Sequence, residues 1–365
     1  MKIHQWLNCL QRSLFPQIEA QLGPLSPKEQ EFVRIVEFCE LDKLAVRYQW
    51  AGVGRKPASR LSLAKAFVAK MVWNLPTTEA LISLLESSPS LRRLCGWEMV
   101  REIPDRSTFS RAFDQFAQGQ LPQIAHNHLI RKHLGDHLVG HVSIDATAID
   151  GREAPVKKTE QPKDVPAKKR GRPAKDEERA PAPPKRLELQ PSRTFEENLA
   201  DLPTPCDVGT KRNSRGHTQS WTGYKFHIAS TDFDVPLCAI LTSASVHDSQ
   251  VAIPLMQQRG DLIKNSLYDL MDAAYDAPAI DAFSRAQGHV PIIDPNPRCS
   301  KNPRILPPHE KSRFKERSSV ERVNSNLKDN WGARFVRVRG AAKVACHLFF
   351  GMLAMTADRL LTILP

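Results

Sequence analysis

Apolar residues recur at intervals of three and four from about Lys28 to Phe116, as in Phe32-Val33-Ile35-Val36 and Leu63-Ala66-Phe67-Met71-Val72. That spacing predicts amphipathic helices and an all-α N-terminal domain over residues 1–135. Within it, Pro104-Asp105-Arg106-Ser107-Thr108-Phe109 sets a polar capping residue before an amphipathic run containing Arg111, Phe113 and Phe116, which predicts a helix start. A DNA-reading helix begins in this way, but ordinary packing is the simpler reading. The period changes after residue 135. Leu138–Ile144, Tyr224–Ser230 and Leu237–Thr242 read as strands, the last two joined by a turn at Asp232-Phe233-Asp234. A helix (Gln250–Gln258), a strand (Ser266–Met271), a helix (Pro278–Gln287) and a strand (Val290–Ile293) follow. A basic helix (Phe314–Lys328) and an apolar helix (Ala341–Leu364) complete the pattern. Three strands and then alternating helices and strands predict an α/β mixed sheet covered by helices, over 136–365. No internal repeat is visible.

One segment breaks this pattern. At about 151–220 the sequence turns to Pro, Lys, Arg, Ala and Glu with few large apolar residues. Such a stretch buries too little surface to offset its chain entropy, so it is expected to be a largely disordered insertion in the second domain.

Composition narrows the setting. The chain has 365 residues, 41% of them hydrophobic, which is enough for two domains with a sizeable core. Its seven cysteines are scattered without a Cys-x-x-Cys pair, which predicts a reducing compartment and neither a disulfide frame nor a structural zinc site. Met1–Pro16 is interrupted by His4, Gln5, Asn8, Gln11 and Arg12 and lacks the apolar core of a secretory signal. Val344–Leu364 carries His347, Asp358 and Arg359 and reads as a buried helix, not a membrane span. A cytoplasmic protein is expected. The formal charge of +12 suggests a polyanionic partner, although charge alone does not choose between nucleic acid, ribosomes, acidic proteins and membranes.

Three carboxylates stand where chemistry would use them. Asp145 closes the first strand in Ser143-Ile144-Asp145-Ala146-Thr147, and Asp272 closes the fourth in Leu270-Met271-Asp272-Ala273-Ala274-Tyr275. Strand ends are where an open α/β sheet gathers functional groups. Glu321 lies on the basic helix. Taken singly, each has a plainer reading as a turn former, a helix cap or a solvated residue. Together they make an all-oxygen donor set suited to two Mg²⁺ ions. At about 100° per residue, Phe314, Arg317, Glu321 and Lys328 fall within a stripe of roughly 60° on one helix face. Val320, Val323 and Leu327 form a separate apolar face. The helix can therefore pack on the sheet while presenting a carboxylate flanked by two cations.

Phe314, Arg317, Glu321 and Lys328 also have the spacing of the Y-x2-R-x3-E-x6-K motif, with Phe in place of Tyr. In order along the chain come Asp145-x-Thr147, Gly223-Tyr-Lys-x-His227, Val246-His-Asp-Ser249 and Asp272-x-x-Tyr275-Asp276. By these residues the chain resembles bacterial DDE insertion-sequence transposases, and its N-terminal part, with the run at Pro104, resembles their leader domain. The resemblance implies a ribonuclease H-like catalytic core in which Asp145, Asp272 and Glu321 bind two Mg²⁺, or Mn²⁺ in their place. It implies Arg317 and Lys328 on the DNA backbone, cleavage and strand transfer at inverted-repeat ends of double-stranded DNA, and a homo-oligomer on DNA without a membrane partner. Asp150 lies close to Asp145, and Asp269 and Asp276 flank Asp272. Asp145 is preferred for its strand end and Asp272 as the leading Asp of its block. A transposase-derived DNA-binding protein without cleavage and a stand-alone metal-dependent DNA nuclease are the alternatives. His247 reads as a hydrogen-bonded structural residue beside Asp248, outside the metal site.

Lys168-Lys-Arg170-Gly-Arg172-Pro173 resembles an AT-hook. Two arginines about a glycine suit a narrow A·T-rich minor groove, and a basic solvated linker is the plainer reading.

Overall fold

Side-chain caps start most of the N-terminal helices. Ser26, Ser59, Thr77, Ser88 and Asp105 each accept a hydrogen bond from the backbone N–H three residues on, satisfying one of the donors that a helix start leaves free. A computed structural model describes residues 23–48, 50, 52, 54, 56–157, 184–212, 216–296 and 305–364. Its N-terminal region comprises α1 (Pro27–Phe38), α2 (Leu41–Ala45), α3 (Arg60–Val72), α4 (Thr78–Ser87), α5 (Pro89–Cys95), α6 (Arg106–Gln118) and α7 (Leu121–Leu134). The helix start expected at Pro104 is there, with Asp105 as its cap. Phe109, Ala112, Phe113, Phe116 and Ala117 of α6 are buried, so this helix spends its apolar face on packing.

The sheet has six strands: β1 (Leu138–Asp150), β2 (Asp207–Arg212), β3 (Thr218–Thr231), β4 (Pro236–Ser243), β5 (Asn265–Met271) and β6 (Val290–Ile293). Their order is β2-β3-β1-β5-β6, and β4 also pairs with β3. β3 runs antiparallel to β1, β2 and β4, whereas β1, β5 and β6 are parallel. This is the ribonuclease H-like mixed α/β sheet that was expected, joined to an all-α N-terminal region. The helices of this half are α8 (Arg186–Leu189), α9 (Phe195–Asp201), α10 (Ser249–Gly260), α11 (Pro278–Ala286), α12 (Pro308–Phe314), α13 (Ser318–Asn330) and α14 (Ala341–Ile363).

α14 ties the two halves together. It touches α1, α3, α6 and α7 of the helical region and β4 of the sheet. Its length and apolarity are enough to cross a membrane, yet 78% of its most apolar window is buried inside the protein, as befits a core helix.

The chain departs from the sequence expectation in three places. Within 151–220, residues 186–201 form α8, a 3₁₀ turn and α9, and residues 207–212 form β2. Polar bonds hold this piece. Gln190 Nε2 donates to Gln250 O (2.6 Å), Asn198 Nδ2 to Gln190 O (3.0 Å) and Gln257 Oε1 (2.9 Å), and Gln257 Nε2 to Arg193 O (2.8 Å). A rule that weighs only apolar residues misses such an anchor. Second, β1 runs on to Asp150, so Asp145 lies inside the strand; what ends there is the parallel pairing with β5, at Ile144 and Met271. Third, the basic helix is broken: α12 stops at Phe314, Lys315–Arg317 form a 3₁₀ turn, and α13 begins at Ser318.

Candidate active site

The first two carboxylates are brought together by strand register. The last couple of the parallel β1–β5 ladder is Ile144 and Met271, and Asp145 and Asp272 are the residues directly after it on adjacent strands. Asp272 turns its Oδ1 onto the N–H of Ala274 (2.9 Å), capping a 3₁₀ turn at Ala273–Tyr275. Asp145 Oδ2 accepts from Asn324 Nδ2 of α13 at 3.3 Å.

α13 supplies the third. Val320, Val323 and Leu327 bury its apolar face, and the helix lies on β1 and β3. Two polar contacts fix its position. Ser319 Oγ donates to Ser143 Oγ at 3.3 Å in the interior, and Arg322 makes a two-pronged contact with Asp234 in the β3–β4 turn, at 2.7 and 3.0 Å to Oδ1. Glu321 is thereby left on the outer face, 61% exposed.

All three carboxylates meet at Arg317. Its Nη2 is 3.5 Å from Asp145 Oδ1 and 3.6 Å from Asp272 Oδ2, and its Nη1 donates to Glu321 Oε1 at 2.6 Å. The side chain is 13% exposed and its Nε is buried without a hydrogen-bond partner among the described residues. Burial opposes its charge, but Asp145, Asp272 and Glu321 outweigh that and raise its pKa. Burial also pushes the Asp145 carboxyl up, to about 6, against the pull of Arg317.

Among the described residues no three His, Cys, Asp or Glu side chains stand close enough to share one metal ion as placed. Arg317 instead supplies the positive charge between the acids. The residues nevertheless fit a hard cation: the donors are all carboxylate oxygens, and one guanidinium does not offset the burial of Asp145.

The other candidates lie apart. Lys328, two turns beyond Glu321 on α13 and so roughly 10 Å along the axis, is half-buried and makes no hydrogen bond or ion pair among the described residues. Burial lowers its pKa. Asp150 is five residues along β1 from Asp145, roughly 17 Å away. Asp269 is buried in a pair with Arg259 and accepts from Ser284 Oγ at 2.6 Å, while Asp276 accepts from the N–H of Asn296 at 2.8 Å. Arg170 and Arg172 fall outside the described residues.

The span of chain that carries this geometry matches a known family. Residues 140–357, from β1 into α14, match the transposase DDE domain family, and they include Asp145, Asp272, Arg317, Glu321 and Lys328. The chain belongs to the transposase DDE domain family. Residues 20–115 match a second family, described as a transposase domain. Searches of curated proteins and of solved structures returned no match.

Membership in the DDE family gives the ordered motif blocks of the sequence a physical setting. Lys225 Nζ donates to Val246 O and to Asp248 Oδ1, both at 2.8 Å, so the strand block and the Val-His-Asp-Ser block are one strut. Gly223 has φ +154°, and a Cβ there would strike the carbonyl of Ile149 on β1, so the glycine lets β1 and β3 stay in register beside the site. His247 Nδ1 pairs with Ser249 Oγ at 2.8 Å, away from the acids. Two residues beside the carboxylates were given no role in the site from the sequence. Asn324 touches Asp145 and is one turn beyond Glu321, a spacing that marks it as sharing that helix face. Tyr275 is fully buried beside the site, its hydroxyl without a partner and its pKa raised by burial; the Asp-x-x-Tyr spacing was its only signal.

Proposed function

We propose that this chain cuts DNA at the ends of an insertion sequence and joins those ends to target DNA. The convergence of Asp145, Asp272 and Glu321 on Arg317 is the observation that carries the reading. The three carboxylates would hold two divalent ions, Mg²⁺ or Mn²⁺. When bound, the metal would activate a water or a 3′-hydroxyl of the DNA for in-line attack on a phosphodiester and would stabilise the departing oxygen. Arg317 would hold a phosphate with its planar fork, and Lys328 would hold the backbone two turns along α13. Asn324 keeps Asp145 oriented. The substrate is double-stranded DNA, the working form a homo-oligomer on it at the nucleoid, and Arg170 and Arg172 add minor-groove contacts.

The test is incubation of wild type and Glu321→Gln with labelled DNA carrying the element's ends, in Mg²⁺ and in EDTA. End cleavage by wild type alone, abolished by EDTA, is the expected outcome. Equal binding by both proteins with no cleavage by either would leave a DNA-binding protein without chemistry. Cleavage without joining would leave a nuclease.

A further inference from the structure

A second basic feature lies away from the carboxylates. Between the helical region, the segment after β1 and the start of α14 is a cleft of about 570 Å³ whose lining includes Lys70, Arg106, Arg152, Arg337, Arg339 and Lys343. None of Asp145, Asp272 and Glu321 borders it. Its cations come from five places in the chain: α3, the start of α6, the segment after β1, the run before α14 and the first turn of α14.

The cleft is short of negative charge. Arg106 pairs with Glu79 at 2.7 Å and Lys343 with Asp114 at 3.1 Å. Arg152 reaches only a carbonyl, that of Arg337, at 3.4 Å. Lys70, Arg337 and Arg339 make no ion pair or side-chain hydrogen bond among the described residues. Lys70 is the telling member. It is 5% exposed at the floor of the cleft, and burial lowers its pKa to about 8. Its stem is buried, but its Nζ is not fully enclosed and makes no hydrogen bond or ion pair among the described residues, so the ammonium opens onto the cleft at a place where Met or Leu would pack as well. Arg337 and Arg339 are exposed and both line the cleft, with the half-buried Val338 between them. Planar guanidinia beside an ammonium on a buried stem match an anion with several oxygens.

We propose that this cleft binds the phosphate backbone of duplex DNA, at a place separate from the strand held at the three carboxylates. The proposal rests on the reading of the chain as a DNA-acting transposase. Lys70 meets one phosphate from below, and Arg337 and Arg339 meet its neighbours at the rim. The cleft lies where the two family matches adjoin, so DNA seated there touches both regions at once.

The test is binding of a labelled duplex to the full chain over a range of salt concentrations, for wild type, Arg337→Gln with Arg339→Gln, and Lys70→Met. The control removes two exposed cations on α1, Lys28→Gln with Arg34→Gln. Each lost phosphate contact lowers the slope of log affinity against log salt by about 0.9, so the arginine pair should lower it by about 1.8 and the control by much less. Lys70→Met should weaken binding about tenfold. Protection against heat by pyrophosphate is measured in parallel. Wild-type slope and affinity in both cleft variants would overturn the proposal and leave the transposase reading standing. Loss of pyrophosphate protection with unchanged DNA binding would assign the cleft to a free anion and also overturn it. Wild type that binds no DNA would sink both.

Discussion

Burial raises the pKa of Asp145 to about 6 even with Arg317 3.5 Å away, and this has a sign that can be tested. The folded carboxyl holds its proton up to a higher pH than the unfolded one, so in the absence of metal folding stability falls as pH rises from about 4 to about 6 and stays reduced above that. Asp145→Asn removes the titration. In EDTA its advantage over wild type should be small at pH 4, grow through that window and reach on the order of 2 kcal/mol at pH 7.5, as measured by urea unfolding. Arg317→Gln should do the reverse above pH 6, lowering the metal-free Tm because three acids lose their shared cation. If both variants are less stable than wild type at pH 7.5, the burial of Asp145 is not the dominant cost. At this scale much of the candidate site could be read from sequence. The spacing of Arg317, Glu321 and Lys328 and the strand-end position of Asp272 pointed to residues that the fold gathers, apart from Lys328. The meeting of one guanidinium with all three acids could not be read, because it depends on the parallel register of β1 and β5 and on the turn that breaks the helix before Ser318.

The elements around the site are held by polar contacts as much as by apolar faces. Arg259 of α10 is paired with Asp269 of β5, both side chains almost wholly buried, and Ser284 of α11 donates to the same carboxylate. β5 ends at Met271, directly before Asp272, so this junction sets the height of the second carboxylate. Arg259→Met keeps the bulk but leaves Asp269 charged and short of a partner, which costs about 3–5 kcal/mol. Arg259→Met with Asp269→Leu should recover most of that loss by equilibrium unfolding; no recovery would mean that the arginine acts through packing alone. Such junctions explain what periodicity missed. Runs such as Val290–Ile293 were legible because period-2 or continuous apolar runs dictate them. The α8–α9 piece was not, since Gln190, Asn198 and Gln257 fasten it to α10 through side-chain amide hydrogen bonds, and β2 is held by its pairing with β3.

At the scale of the whole molecule, α14 makes the two halves of the chain one core. A boundary near 135 separates helix from strand along the sequence, yet the helix after the catalytic residues returns to pack among α1, α3, α6 and α7. Phe350 of α14 lies 5.7 Å from Phe67 and 6.2 Å from Phe113, ring centre to ring centre, while its neighbour Phe349 meets Phe226 of β3 at 5.5 Å. One face of the helix thus seals the helical region and the adjoining face seals the sheet. The apolarity of Ala341–Leu364 was plain from the sequence, but its partners were not, because a helix that is apolar on most sides records only that it is enclosed. The arrangement predicts that the described regions unfold together. Phe350→Ala should cost about 3–5 kcal/mol and lower the unfolding midpoint of the sheet along with that of the helices, in a single calorimetric transition also followed by hydrogen exchange in β1 and α3. Two transitions, with only the helical one moved by Phe350→Ala, would show that the helical region folds independently and that α14 belongs to the sheet.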